Sequence, residues 1–174
     1  MSIGLEVKLT KPIIITSLLP KTGEALHELL GLSFIPEIVA EEYVDHTWKP
    51  LQSDLLSEDA RLIGISITGE PETASLFAHS RRGDDRPKEE RGVFAIIEVT
   101  GARTPLALAL TAAVAVALGR ECATDVTDNM PFFSSSFDQS ADDFVKAIKV
   151  KEGFGDYRSA AKTFYRSLGH GSAP

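Results

Sequence analysis

VFAIIEV (Val93–Val99), followed four residues later by TPLALALTAAVAVALGREC (Thr104–Cys122), decides how this chain folds. The first segment is rich in β-branched and aromatic side chains, which reads as a strand at the centre of a sheet. In the second, Thr104 is placed as an N-cap and Pro105 as the first helical residue, so a helix opens there. Leu106, Leu108, Leu110, Val114, Val116 and Leu118 spread around its whole circumference. A helix without a polar face is packed on more than one side, and its alanines permit close approach to a sheet. The uncharged stretch Thr104–Gly119 spans about 24 Å at 1.5 Å per residue. That is short of a bilayer core of about 30 Å. The expectation is a buried helix in a cytoplasmic protein, and the N-terminal MSIGLEVKLT lacks the pattern of a secretory signal.

Working outward, Ile3, Leu5, Val7 and Leu9 alternate with polar or small residues as in a strand with one buried face. Pro12 interrupts, and Ile13–Ile15 reads as the same strand resumed after a bulge. Thr22 is placed to cap a short helix carrying Leu26, Leu29 and Leu30, with Gly31 ending it. Ser33–Leu56 shows no clear period. RLIGISIT (Arg61–Thr68) alternates cleanly, and Ala74–His79 is its expected partner. The charged run Arg81–Arg91, within the segment 80–91, reads as an exposed loop.

Beyond the long helix, Ala123–Val126 reads as a short returning strand. Ser140 and Asp143 resemble a capping box for a helix with Phe144, Val145 and Ile148, broken by Gly153 and Gly155. Asp156 caps a last helix closed by Gly169, and 170–174 is a loose tail. The order β-α-β-β-β-α-β-α-α predicts a single α+β domain over 1–174. Its sheet is mostly antiparallel, and the Ala-rich helix and two C-terminal helices pack on it.

The composition suits one globular domain: 174 residues, 43% hydrophobic and 25% charged. One cysteine, Cys122, excludes an internal disulfide and any multi-cysteine metal site. Net charge is −7 and unevenly spread. Thr22–Ser80 holds 11 acids against Lys49 and Arg61, whereas Phe144 onward holds six bases and two acids. An acidic first half disfavours nucleic acid or an anionic membrane and suits a basic protein partner.

No glycine-rich phosphate loop, His-Glu-x-x-His, Cys-x-x-Cys or Gly-x-Ser-x-Gly pattern is present. His27, His46, His79 and His170 are scattered, and Cys122 sits at a helix C-terminus, which disfavours a thiolate. Asp45 and His46 with Asp125, Asp128 and Asn129 would hold a hard divalent ion if they met in space, giving a metal-dependent hydrolase. Turn formation before Pro131 explains the second group without metal. Ser134–Ser136, between Phe133 and Phe137, offers hydroxyls but no base, and Arg82-Gly83-Asp84 is a chance adhesion tripeptide. The residues therefore lean against an enzyme, and no cofactor is implied. Glu41, Glu42, Tyr43, Asp45 and Trp48 mix acids with aromatic side chains and are the candidate partner-binding set.

The succession VFAIIEV, PLALALTAAVAVALGREC, ATDVTD resembles a group of small bacterial immunity proteins paired with secreted antibacterial toxins, including type VI secretion effectors. The resemblance is one of pattern and carries no site residues over. It implies a cytoplasmic inhibitor that binds one toxin domain and blocks its active site. A structural or assembly subunit, forming a homo-oligomer, is the remaining alternative.

Overall fold

The computed structural model describes residues 3–58, 61–80, 92–99 and 102–168. Of the expected loop 80–91, Ser80 belongs to a strand instead, and the rest, with the closing Gly169 and the tail 170–174, lies outside the described residues. The described residues form an α+β domain of one eight-stranded antiparallel sheet, a two-stranded one and four helices. Its elements run β1 (Gly4–Leu9), β2 (Ile13–Ile14), α1 (Ile15–Leu30), β3 (Ile38–Val44), β4 (Thr47–Pro50), β5 (Leu55–Leu56), β6 (Ile63–Ile67) and β7 (Thr73–Ser80). They continue with β8 (Val93–Val99), α2 (Pro105–Cys122), β9 (Asp125–Thr127), β10 (Asp138–Ser140), α3 (Ala141–Ile148) and α4 (Tyr157–Ser167).

Eight strands form the sheet in the order β10-β9-β1-β8-β7-β6-β3-β4, so β8 is central as its composition predicts. Alternation sends Leu5, Val7, Ile63, Ile65, Ile67, Ala74, Leu76, Ala78, Ala95 and Ile97 to one buried face. α2 lies on that face against β1, β7 and β8, and α1, α3 and α4 pack around it. Every residue from Leu106 to Gly119 is buried. The small alanines of β7 and β8 beneath it allow the close approach that an Ala-rich helix permits. Thr111, the polar residue in that run, donates its hydroxyl to the Ala107 carbonyl at 2.9 Å, so its own buried polar group is satisfied. At Gly119 the helix also comes close to β9 and α3. A Cβ there would stand 3.1 Å from Val126 Cγ2 and 3.2 Å from Ala141 Cβ. α2 is long and apolar enough to cross a membrane, but 83% of its apolar window is buried inside the fold.

Several expected boundaries are corrected. Thr22 does not cap α1; it sits buried in mid-helix and donates to the Leu18 carbonyl at 3.1 Å. The helix starts at Ile15, and its first donors are met by Asp54, far along the chain. Asp54 accepts from Thr16 N at 2.8 Å with its carboxylate and from Ile15 N at 2.7 Å with its carbonyl. Ile13 and Ile14 do not continue β1 but pair with Leu56 and Leu55 in a separate two-stranded sheet. The strand after α2 begins at Asp125, because Ala123 takes a left-handed conformation as the helix cap. α3 stops at Ile148, before Gly153 and Gly155. The chain beyond it is tied to the end of α1 instead, through Val150 N to Leu29 O and Phe154 N to Gly31 O, both 2.8 Å.

The expected caps at Thr104, Ser140 and Asp156 are in place. Their side chains accept from Ala107 N, Asp143 N and Ser159 N respectively.

Candidate functional site

β3 and β4 meet through the two residues Asp45 and His46, both with positive φ (50° and 61°). This is the conformation that a two-residue hairpin loop requires, and Asp and His tolerate it better than most non-glycine residues. The turn sets Tyr43 opposite Trp48 and Glu42 opposite Lys49. The Tyr43 and Trp48 rings lie 5.0 Å apart at an interplanar angle of 57°.

Trp48 leans across the sheet face that no described helix covers. A Cβ on Gly64 would come within 2.6 Å of its ring, so only glycine leaves room for the indole at that point. Leu62 continues the apolar row, its carbonyl accepting from Tyr43 N at 2.9 Å. Tyr43 remains 41% exposed, and Trp48 is half-buried. Glu41 projects on the same face, and Asp45 stands at the tip, paired with Lys49 at 3.1 Å.

Glu42 behaves differently from its neighbours because strand alternation turns it to the other face. It is only 4% exposed. Its Oε1 lies 3.2 Å from Arg61 Nε in an ion pair, and its Oε2 accepts from Gln52 N at 3.1 Å. It braces the hairpin from beneath and offers nothing to a partner. Of the five expected binding residues, Glu41, Tyr43, Asp45 and Trp48 thus share an accessible region, and Glu42 does not.

The metal constellation does not assemble. Asp45 and His46 are at the β3–β4 edge, while Asp125 is on β9 near the opposite edge, with β1, β8, β7 and β6 between. Five strand spacings of about 4.8 Å separate the two groups by roughly 24 Å. Asp128 is 1% exposed, and its carboxylate accepts from Phe133 N (2.7 Å), Ser134 N (3.2 Å) and Met130 N (3.4 Å). It organises the loop that leads to β10. Ser134 Oγ, in turn, is engaged by Gln139 Nε2 and Ser136 N. Among the described residues, no three His, Cys, Asp or Glu side chains converge as a metal site would require.

Two other features were not anticipated. Gly64, isolated inside a strand pattern, was a readable sign of close approach. A cleft of about 640 Å³ opens between the segment entering α2 and the second half of α4. Ala102, Arg103, Thr104, Pro105, Lys162, Tyr165 and Arg166 line it. The spacing of Lys162, Tyr165 and Arg166 along one helix face was the available signal.

Compared with known protein families, curated proteins and solved structures, the chain has no match.

Proposed function

We propose that this chain is a cytoplasmic immunity-type protein that binds and neutralises a cognate bacterial toxin domain. The observation that supports this reading best is the Tyr43–Trp48 pair, packed over Gly64 on a sheet face that no described helix covers, beside Glu41 and Asp45. Aromatic side chains presented by a rigid element and rimmed by charge are what protein interfaces use as anchors. The net charge of −7 favours a partner with a basic surface. In this mechanism Glu41 and Asp45 steer the encounter, while the two rings are desolvated on docking and set the dissociation rate.

The test begins with the tagged full chain as bait in its native bacterium, with mass spectrometry as readout. The expected result is one stoichiometric partner that is toxic when expressed alone and harmless when co-expressed with this chain. Trp48→Ala should weaken that purified complex by about 2 kcal/mol or more, as anchor residues do. Raising the salt should slow association. A partner whose toxicity this chain does not relieve, or an affinity indifferent to Trp48, overturns the reading. A stable homo-oligomer with no other partner would support an assembly subunit instead.

A further inference from the structure

Strand register sets what lies around the Trp48 indole. Trp48 stands opposite Tyr43, and on the other side of β3 Gly64 stands opposite Glu41. Alternation puts all four positions on the sheet face that no described helix covers. The indole reaches from the first pair to the second. A Cβ on Gly64 would lie 2.6 Å from its Cζ3 and 2.8 Å from its Cη2. The side chain therefore crosses β3 between Tyr43 and Glu41, with its six-membered ring over Gly64. Directly opposite positions have Cβ atoms about 5 Å apart, so Glu41 stands alongside that ring.

Gly64 backs the indole, and the Tyr43 ring flanks it with its centroid 5.0 Å away. Trp48 nevertheless stays half-buried rather than buried, and what remains accessible is turned away from these two neighbours. Charge on this face is simple. Val39, Tyr43, Trp48, Pro50, Gly64 and Ser66, the other outward positions of β3, β4 and β6, carry none. Glu41 is exposed and makes no ion pair among the described residues. The acids near it are already engaged, Glu42 with Arg61 on the opposite face and Asp45 with Lys49 at 3.1 Å. Lys49 itself stands opposite Glu42 in register, so it too belongs to the opposite face. A carboxylate without a counter-ion thus lies beside an accessible aromatic ring.

We propose that this surface receives an arginine side chain of the partner protein, its guanidinium stacked on the indole and donating to Glu41. The proposal rests on the reading of this hairpin as the partner-binding surface, and it names the residue type that docks there. A guanidinium suits both groups at once, because it is planar, stacks on aromatic faces and presents paired N–H donors to a carboxylate. A lysine ammonium is compact and strongly hydrated, and it can neither stack flat nor fork the two oxygens.

The experiment titrates acetylated tri-arginine amide into the full chain and follows the emission of Trp48, the only tryptophan. Acetylated tri-lysine amide is titrated in parallel. The expected result is a saturable change with half-saturation below about 5 mM for tri-arginine, and at least about threefold weaker binding of tri-lysine. Glu41→Gln should weaken tri-arginine at least about threefold, while Glu24→Gln, at an exposed acid of α1, leaves it unchanged. Both substituted side chains are exposed, so the circular dichroism melts should coincide. The proposal is overturned by no saturation, by equal affinity for the two peptides, or by indifference to Glu41→Gln. A toxin complex that depends on Trp48 while tri-arginine does not bind overturns the arginine assignment alone. Tri-arginine binding with these dependences, beside a partner whose toxicity the chain does not relieve, supports the arginine site and overturns the toxin reading.

Discussion

Between Leu106 and Gly119 every side chain of α2 is buried, whereas the β3–β4 hairpin leaves Glu41, Tyr43, Asp45, His46 and Thr47 exposed. The helix is confined on all sides, by sheet below and helices around, so each position is fixed by volume. The hairpin is held on one face by Glu42 and on the other by Trp48 against Gly64. Glu42 beneath it is committed to Arg61 and Gln52, and no described helix covers the opposite face. On the proposed function, stability and recognition fall in different places, and in β3 on alternate residues.

The sharpest way to break this contrast is in the helix. Leu110→Ala should cost about 4 kcal/mol, near the upper end for such truncations, because a site enclosed by sheet and helices cannot collapse into the cavity. Urea unfolding measures it, and a loss below about 1 kcal/mol would show α2 to be loosely packed.

Within β3, two adjacent glutamates provide the next test. Glu42→Ala removes the carboxylate paired with Arg61, which keeps its hydrogen bond to Ser53 O, and leaves Gln52 N without its acceptor, for an expected loss of about 2 kcal/mol. Glu41→Ala should change stability by less than about 0.5 kcal/mol while slowing partner association. Equal effects from the two would mean that strand alternation does not separate their roles.

A modest, pH-dependent effect lies at the end of α2. Lys11 (2.5 Å) and Lys21 both reach Glu121, and their hydrogen bonds push its carboxyl down to about 2. A carboxyl with a depressed folded-state pKa stabilises above its unfolded value, about 4.3 for Glu, and loses that contribution as pH falls toward 2. Glu121→Gln should therefore cost about 0.5–1 kcal/mol at pH 7, in the range of surface pairs. The difference from the unsubstituted protein should vanish near pH 2, and urea titrations across that range would show it. A difference that is constant with pH would assign the effect to packing.

How much of this could be read in advance varies with how local the cause is. β6, β7, β8, α2 and α4 were legible because period, caps and composition lie within each segment. The start of α1 was not, since Asp54 caps it from across the fold while Thr22 imitates a cap locally. β2, β4, β5 and β10 are two to four residues long and are strands only because of what they pair with. The hairpin at Asp45-His46 lacks the glycine that normally marks such a turn, so Ser33–Leu56 offered no period to follow.

The aromatic and acidic composition of that region pointed to the surface. It could not reveal that Glu42 faces inward, because without the strand there was no alternation to apply. The basic cleft depended on 102–105 and α4 coming together in space, which no local pattern records.

Trp48 is the only tryptophan in the chain. Placed between the Tyr43 ring and the bare backbone of Gly64, it is also the one intrinsic long-wavelength fluorophore. Emission excited at its red edge therefore comes wholly from the proposed docking surface. The protein carries its own optical label there: burial by a partner would shift the spectrum to the blue, while events elsewhere on the molecule would leave its emission unchanged.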